Sequence, residues 1–227
     1  MINLNKKIIN LDEEIINLDS QRSLEPSMFY FLKDLPNICS LTGLICALLG
    51  IYFAISGEFH FALIGVLWAV LFDWADGIIA RKIGDRTDNQ RVFGAQLDSL
   101  IDIVSFGIFP AIFLLSYGQF SPWVLPGAFL IVAVSTIRLS YFNIFGMIDK
   151  NTYKGLALDN NVIILTLLFL FEGFFTHTLF LIILYVVLMI MLVFNLASIR
   201  TYKFAGKWFY VLIAFVVVMT VNFGWLQ

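Results

Sequence analysis

Seven long apolar stretches constrain this chain more than any other feature of its sequence. They lie at 35–56, 59–80, 95–116, 122–143, 158–175, 178–198 and 207–226. Each is close to the roughly 20 residues that an α-helix needs to cross the hydrocarbon core of a bilayer. Apolar residues make up 60% of the chain, against about 45–50% in soluble domains. The sequence therefore predicts an all-α integral membrane protein with about seven transmembrane helices, the fifth of which has the most polar ends.

The basic residues indicate how these helices are oriented. All 14 lysines and arginines precede the first stretch or lie in or beside every second connection. Before the first stretch are Lys6, Lys7, Arg22 and Lys33, and between the second and third are Arg81, Lys82, Arg86 and Arg91. At the end of the fourth stretch and in the loop after it are Arg138, Lys150 and Lys154, and after the sixth are Arg200, Lys203 and Lys207. Because basic loops remain in the cytoplasm, we expect the N-terminus inside and the C-terminus outside. The net charge is only −2, which excludes a nucleic-acid partner because such proteins carry a clustered basic face.

The segment before the first apolar stretch has a pattern of its own. From Met1 to Leu18, apolar residues recur about every 3.5 positions, which predicts an amphipathic helix in the membrane interface or against a partner. We therefore divide the chain into a cytoplasmic amphipathic segment (1–34), a membrane core (35–200) and a last part (201–227). That last part comprises a cytoplasmic loop and the C-terminal transmembrane helix.

Four aspartates occur where an apolar helix pair should tolerate almost none. Asp73 and Asp76 share one face of the second helix, and Asp98 and Asp102 share one face of the third. A carboxylate at the bilayer centre costs on the order of 2.5–3.5 kcal/mol, so four of them together need countercharge. Oxygen ligands suit Mg²⁺, Mn²⁺ or Ca²⁺. Four carboxylates could hold two such ions, an arrangement typical of phosphoryl transfer to or from a phosphate ester or anhydride.

The small and basic residues beside the aspartates agree with a phosphate substrate. Gly77 and Ala80 leave room for a large molecule to approach the second helix, and Arg81 can reach a phosphate with its planar guanidinium. On the third helix, Gly94 and Ser105 lie on the same stripe as the two aspartates. We therefore expect the carboxylate-lined face of this helix pair to be the functional site.

Two other interpretations of the aspartates are open at this point. They could form a structural ion-pair network with Arg81, Arg86 and Arg91, although such a network would not require glycine at both 77 and 94. They could also bind a permeating cation in a transporter or channel. A transport path, however, needs polar groups across the membrane, and the sequence offers only the distant Glu172.

The same residues carry a family resemblance. The pattern DxxDGxxAR followed by GxxxDxxxD resembles the motif of the CDP-alcohol phosphotransferases. Its fixed positions are filled by Asp73, Asp76, Gly77, Ala80, Arg81, Gly94, Asp98 and Asp102. The helical run from Pro36 to about Arg200 also resembles the six-helix core of that family, to which this chain would add one helix. Twelve residues separate Arg81 from Gly94, where the common family spacing is eight.

The resemblance implies a reaction, its cofactors and its partners. Members of the family bind a CDP-linked donor and two divalent metals, here Mg²⁺ or Mn²⁺, and join an alcohol to the phosphate with release of CMP. The four aspartates would hold the metals, and Asp102 would act as the general base. The donor would contact Asn37, Asp76, Gly77, Ala80, Arg81 and Gly94. The resemblance further implies a homodimer, and we expect a bacterial or archaeal cell membrane with the active site facing the cytoplasm.

Three segments are most similar to the phosphatidylserine synthase branch of the family, which uses CDP-diacylglycerol and serine. They are LDSLIDIVSFGIFPA at 97–111, IRLSYFN at 137–143 and YKGL at 153–156. The resemblance implies acceptor contacts from Arg138, Lys154, Tyr141 and Ser105. Tyr141 stands where the branch usually has a basic residue, and Ala157 where it has proline. Choline, inositol, inositol phosphate and glycerol phosphate are therefore alternative acceptors.

Overall fold

The computed structural model describes residues 26–149, 152–202 and 206–225. Most of the predicted amphipathic segment lies outside these residues, so that helix stays a prediction. Within the described residues the regular secondary structure is helical, apart from two short strands. This confirms the predicted all-α membrane architecture.

The helices are numbered here in chain order. They are α1 (Met28–Leu32), α2 (Leu35–Ile55), α3 (Phe59–Lys82), α4 (Asp88–Asp102), α5 (Phe109–Tyr117), α6 (Leu125–Phe145), α7 (Leu158–Phe169), α8 (His177–Leu196) and α9 (Lys207–Trp225). A π-helix, Ile103–Ile108, joins α4 to α5 without a break. Short 3₁₀ turns precede α6 and follow α7. Two strands, β1 (Thr152–Lys154) and β2 (Arg200–Tyr202), pair antiparallel.

Six helices in the described part of the chain are long and apolar enough to cross a membrane. They are α2, α3, the continuous helix Asp88–Tyr117, the helix Pro122–Phe145, α8 and α9. The predicted fifth span forms α7, which is apolar but only 12 residues long. At 1.5 Å per residue, α7 covers about 18 Å. The predicted count of seven spans is therefore not confirmed.

Helix α7 nevertheless contacts α3 at two widely separated positions. At its start, the Asp159 carboxylate accepts a hydrogen bond from the Trp74 indole, 2.8 Å away. At its end, the Phe169 ring packs edge-on against His60, with 5.5 Å between ring centroids. Trp74 and His60 are separated by about 21 Å along α3, taking 1.5 Å per residue. Together with the turn that follows it, α7 thus runs along most of the length of α3.

Helices α2 and α3 approach each other through glycine. A Cβ atom on Gly65 of α3 would lie 2.8 Å from the backbone nitrogen of Gly50 on α2 and 2.9 Å from the carbonyl oxygen of Cys46. Small residues allow the two helix backbones to approach this closely. Such contacts are common between membrane helices, because in lipid the hydrophobic effect does not drive helices together. The contact fixes α2 against α3 and brings Ser40 of α2 beside Asp76 of α3.

The end of the bundle that lies away from the aspartates is filled with aromatic rings. Phe59, Phe113, Tyr117, Phe169 and Phe180 pack mostly edge-to-face, with centroid distances of 5.0–6.2 Å. Edge-to-face contacts suit the quadrupoles of these rings. The Tyr117 hydroxyl donates to Glu172 at 3.0 Å. The polar residue noted at the end of the fifth apolar stretch is therefore part of this far-end packing.

A tight turn before α7 places the start of that helix at the opposite end, beside the aspartates. Gly155 follows β1 with a φ of +79°, and a Cβ atom there would lie 2.3 Å from the carbonyl oxygen of Asn195. Only glycine fits such a position without moving the backbone. The turn and the β1–β2 pairing together hold the segment from Leu156 to Asp159 against α6 and α8.

Candidate active site

A cavity of about 290 Å³ lies where α3, α4, α6, α7 and α9 meet. Its charged lining residues are Asp73, Asp76, Asp98, Asp102, Asp159, Arg81 and Arg138. Two helices that are distant in sequence, α3 and α6, contribute one arginine each. The cavity thus collects five carboxylates and two guanidinium groups in one recess.

Three of the predicted aspartates form a compact group. Carboxylate oxygens of Asp73, Asp98 and Asp102 all lie within 4.8 Å of one another. The Oδ1 atom of Asp102 is buried and has no hydrogen-bond partner. Buried polar atoms without partners are rare and costly. An oxygen cluster with an unpaired buried member fits a hard divalent cation such as Mg²⁺ or Mn²⁺.

Asp76 lines the cavity but lies outside this group of three. It is only 6% exposed, and the Ser40 hydroxyl of α2 donates a hydrogen bond to its Oδ2 atom. No pattern in the sequence connects Ser40 with the aspartates, because the pairing depends on how α2 packs on α3. A metal-binding role for Asp76 stays a prediction, and its Oδ1 atom is the one not used by Ser40.

The predicted donor-binding residues fall into two places. Gly77 and Arg81 line the cavity, and a Cβ atom on Gly77 would lie 3.4 Å from Nη1 of Arg81. Ala80 is outside the cavity lining. Asn37 and Gly94 lie together between α2 and α4, where a Cβ atom on Gly94 would be 3.0 Å from Oδ1 of Asn37. Asn37 also donates to a backbone carbonyl of α1 at 2.9 Å.

The loop between α3 and α4 is anchored by a buried ion pair. Arg86 donates to Oδ2 of Asp34 through Nε at 2.9 Å and through Nη2 at 2.7 Å, and it caps the Gln90 carbonyl at 3.0 Å. A Cβ atom on Gly94 would lie only 2.7 Å from Nη2 of Arg86. Arg86 therefore fixes the loop to the start of α2. The structural ion-pair network considered above would instead have required Arg86 to neutralise the aspartates of α3.

Of the four predicted acceptor residues, only Arg138 lies on the cavity wall. Its side chain is buried, with the residue 8% exposed, and Nε donates to the Leu156 carbonyl at 3.2 Å. Its guanidinium lies 5.2 Å and 5.6 Å from the ring centroids of Phe142 and Tyr153. These contacts leave the guanidinium aligned by one hydrogen bond and two aromatic faces.

The other three predicted acceptor residues lie elsewhere. Lys154 and Tyr141 are exposed and contact each other, with 3.4 Å between Nζ and the phenol oxygen. Ser105 is buried in the π-helix, and its hydroxyl has no hydrogen-bond partner. A π-helix shifts the register of the helix that contains it. Regular α-helical spacing predicted Asp98, Asp102 and Ser105 on one stripe. In the structure Asp98 and Asp102 line the cavity, and Ser105 does not.

Sequence reasoning missed several residues that line the cavity. They are Trp74, Phe106, Phe142, Tyr153, Asp159, Asn160 and Phe209, together with others of the same elements. Burial raises the pKa of Tyr153 to about 12, with Asp159 adding to the rise. The phenol thus keeps its proton at neutral pH. The sequence signal that could have revealed Asp159 was its position at the polar start of an apolar stretch.

Comparison with known proteins places the chain in a family. Residues 33–221 match the sequence model of the family described as CDP-alcohol phosphatidyltransferase. The match covers most of the chain and includes every aspartate of the cavity. The chain belongs to the CDP-alcohol phosphatidyltransferase family. The resemblance seen in the sequence motif is therefore confirmed.

Several relatives within this family are named for serine transfer. The chain is 37% identical over 145 residues to the archaetidylserine synthase of Methanothermobacter thermautotrophicus, covering 63% of this chain and 60% of that protein. It is 36% identical over 98 residues to a CDP-diacylglycerol–serine O-phosphatidyltransferase of Methanocaldococcus jannaschii, covering 43% and 44%. A phosphatidylcholine synthase of Rhizobium johnstonii is 32% identical over 137 residues, covering 58% and 54%. The chain thus spans less than two thirds of the length of these relatives.

Proposed function

We propose that this protein transfers a phosphatidyl group from CDP-diacylglycerol to the hydroxyl group of L-serine, giving phosphatidylserine and CMP. The observation that carries the proposal is the group of three carboxylates, Asp73, Asp98 and Asp102, in one cavity with two arginines. The family supports the donor chemistry. The names of several relatives support serine as acceptor.

The acidic group would hold the divalent cations of the reaction. Asp73, Asp98 and Asp102 would ligate one ion, and Asp76 with members of this group would ligate a second. Bound divalent ions would neutralise the charge that builds up on the diphosphate during transfer. We infer Mg²⁺ or Mn²⁺ because all the candidate ligands in the described cavity are oxygen atoms.

Donor binding would use residues around the motif of α3. Arg81 projects over Gly77 at the cavity wall, where its guanidinium can bind a phosphate through two parallel hydrogen bonds. Ala80, Asn37 and Gly94 would contact the remainder of the donor from the sides of α2 and α4. Side-chain atoms of Asn37 and Arg86 lie close to the position that a Cβ atom on Gly94 would take, so a side chain there would have to displace them.

Asp102 would serve as the general base. Its unpaired Oδ1 atom can accept the proton of the serine hydroxyl as that oxygen attacks the phosphorus atom that bears the diacylglycerol. A new phosphorus–oxygen bond to serine forms, the bond to the CMP oxygen breaks, and CMP leaves with the electron pair. Arg138 would bind the serine carboxylate, because a guanidinium matches that group in a bidentate geometry.

The location and assembly of the enzyme are part of the same proposal. The cavity lies at the end of the bundle that carries Arg81, Lys154 and Lys207, and the positive-inside rule supports our inference that it faces the cytoplasm. The origins of the relatives agree with the cell membrane of a bacterium or archaeon. A homodimer remains an expectation from the family resemblance.

A transporter is less well supported by the structure. Within the described residues, the aspartates occupy one end of the bundle, and the other end is packed with the rings around Phe113 and Phe169. A permeating cation would have to pass through this layer of packed aromatic rings, which is costly in a membrane interior.

The test supplies purified protein, Mg²⁺ or Mn²⁺ and labelled CDP-diacylglycerol with one acceptor at a time. The acceptors are serine, choline, inositol, inositol phosphate and glycerol phosphate. We expect CMP release and labelled phosphatidylserine with serine. Formation of phosphatidylcholine without serine incorporation would overturn serine as the acceptor but would leave CDP-diacylglycerol as the donor. No CMP release with any acceptor would overturn the proposed function.

A further inference from the structure

We propose that Asp159, oriented by Trp74, binds the ammonium group of the acceptor, so that the cavity selects a zwitterionic amino acid. This inference rests on the proposed function and specifies the substrate class of the same cavity. Asp159 belongs to α7 and is outside both motif helices. Its role would be to determine specificity, and that of Trp74 to position it.

Asp159 is held in a defined orientation at the cavity wall. The Trp74 indole donates a hydrogen bond to Oδ2 of Asp159 at 2.8 Å, and both residues line the cavity. An indole N–H can only donate, so it fixes the carboxylate without neutralising its charge. Asp159 is not a member of the compact group of three aspartates. Its carboxylate is therefore available for an organic cation.

Arg138 and Asp159 are attached to the same short segment. The Nε atom of Arg138 donates to the Leu156 carbonyl, three residues before Asp159 in the chain. Both residues line the cavity, and no direct ion pair joins them. The guanidinium and the carboxylate can therefore each contact a ligand that carries both charges.

This pair of charges discriminates among the candidate acceptors. Serine bears a carboxylate and an ammonium group on one carbon atom and can satisfy Arg138 and Asp159 together. Inositol phosphate and glycerol phosphate would bring additional negative charge toward Asp159. Choline would bring a cation toward Arg138 and leave that arginine without an anion. Unpaired or opposed charges in a desolvated site reduce affinity strongly.

The experiment compares two single-charge analogues of serine. Ethanolamine keeps the ammonium group, and 3-hydroxypropionate keeps the carboxylate. We expect Asp159→Asn to raise the serine KM about 10-fold or more, the effect of losing a charge-assisted hydrogen bond, with the KM for CDP-diacylglycerol within about twofold. Use of ethanolamine should fall as strongly, and use of 3-hydroxypropionate should not. Arg138→Lys should give the opposite analogue pattern.

Two further variants complete the test. Trp74→Phe should raise the serine and ethanolamine KM values less than Asp159→Asn does, without changing the KM for 3-hydroxypropionate. Asp85→Asn is the control, because Asp85 is an exposed loop carboxylate away from the cavity, and its kinetics should match those of the unchanged protein. An unaltered serine KM in Asp159→Asn would overturn the inference, as would an equal loss with both analogues.

One measurement needs no variant. In the unchanged protein, ethanolamine and 3-hydroxypropionate should each inhibit serine incorporation competitively. Competition by 3-hydroxypropionate alone would overturn the role of Asp159 even if Asp159→Asn fails to fold. The two proposals fail differently: absence of CMP release with serine counts against the proposed function, whereas CMP release with an unaltered serine KM in Asp159→Asn counts only against this inference.

Discussion

At the residue scale, the main feature of the cavity is a set of carboxylates that lie close to one another. Asp73, Asp98 and Asp102 come within 4.8 Å of one another, and Asp76 is partnered by Ser40. Like charges at this distance repel, and burial from water adds to the cost. A cation in their midst would remove both penalties. The acidic group is therefore best explained as a group that could bind a cation.

The first prediction concerns Asp98. Replacing Asp98 by asparagine keeps the side-chain volume but removes the charge that a divalent ion requires. We expect activity to fall by at least about 100-fold, the upper end of the loss seen for residues that only support metal ligands. Mn²⁺ binding, measured by calorimetry, should weaken in parallel, while the melting temperature stays close to that of the unchanged protein.

The matched control for Asp98 is Asp85→Asn, which removes the same charge from an exposed position of the α3–α4 loop. It should change neither activity nor Mn²⁺ affinity. Full activity together with normal Mn²⁺ affinity in Asp98→Asn would contradict the metal assignment.

At the element scale, the geometry of the cavity depends on how the helices around it are fixed. Helix α2 packs on α3 through Gly50 and Gly65, and the π-helix lets α4 and α5 continue as one span beside α6. The π-helix begins directly after Asp102, and such helices often occur at functional sites. A Cβ atom on Gly107 within it would lie 3.0 Å from Cβ of Ser135 on α6. Close helix contacts thus set the positions of the aspartates.

The second prediction tests the α2–α3 contact. A methyl group on Gly65 would meet backbone atoms of Gly50 and Cys46 at 2.8–2.9 Å, and backbone cannot rotate away as a side chain can. Gly65→Ala should therefore destabilise the protein by about 1–3 kcal/mol, as overpacking typically does. Thermal unfolding in detergent measures the change as a lower melting temperature.

A matched glycine is available on another helix. Gly224 of α9 has nothing within 4 Å of the position that a Cβ atom would take, so Gly224→Ala should leave the melting temperature unchanged or slightly raised. Equal melting temperatures for Gly65→Ala and Gly224→Ala would mean that α2 and α3 do not depend on this contact.

At the scale of the whole molecule, the short helix α7 decides how the chain crosses the membrane. It has 12 residues, yet its two ends contact positions of α3 that are about 21 Å apart along that helix, through Asp159 and Phe169. The alternation of basic and neutral connections in the sequence predicts a crossing at this point. The short helix therefore fits a span that is completed by the turns on either side of it.

The third prediction tests this crossing with two single-cysteine variants. In a background in which Cys39 and Cys46 are alanine, Asp85→Cys lies in the α3–α4 loop and Phe174→Cys in the turn after α7, where Phe174 is 81% exposed. If α7 crosses, three spans separate the two positions. A membrane-impermeant maleimide should then label Asp85→Cys only from the cytoplasmic side and Phe174→Cys only from the outside.

Detergent-solubilised samples, in which both positions should react, are the control for accessibility. Labelling of both variants from the same side of intact membranes would show an even number of crossings between them. That result would contradict the span assigned to α7 and the predicted placement of the C-terminus.

The sequence alone was sufficient for the all-α membrane class and for the two helices that carry the aspartates. Hydropathy specifies membrane helices because, in lipid, each apolar span must satisfy the hydrogen bonds of its own backbone polar groups. Helical spacing brings Asp98 and Asp102 onto one face, and the match of the motif indicated the family. These features are local: each depends on residues within one apolar stretch or, for the motif, within the segment from Asp73 to Asp102.

Only the tertiary structure determined which other residues share the cavity. The Ser40–Asp76 and Trp74–Asp159 contacts join residues far apart in sequence. Regular spacing could not show that a π-helix keeps Ser105 from the cavity wall. Nor could it show that a glycine turn and a strand pair bring Asp159 to the cavity that Arg138 also lines. Such contacts depend on how helices pack against each other, and packing is a property of side-chain shape in three dimensions that no local pattern records.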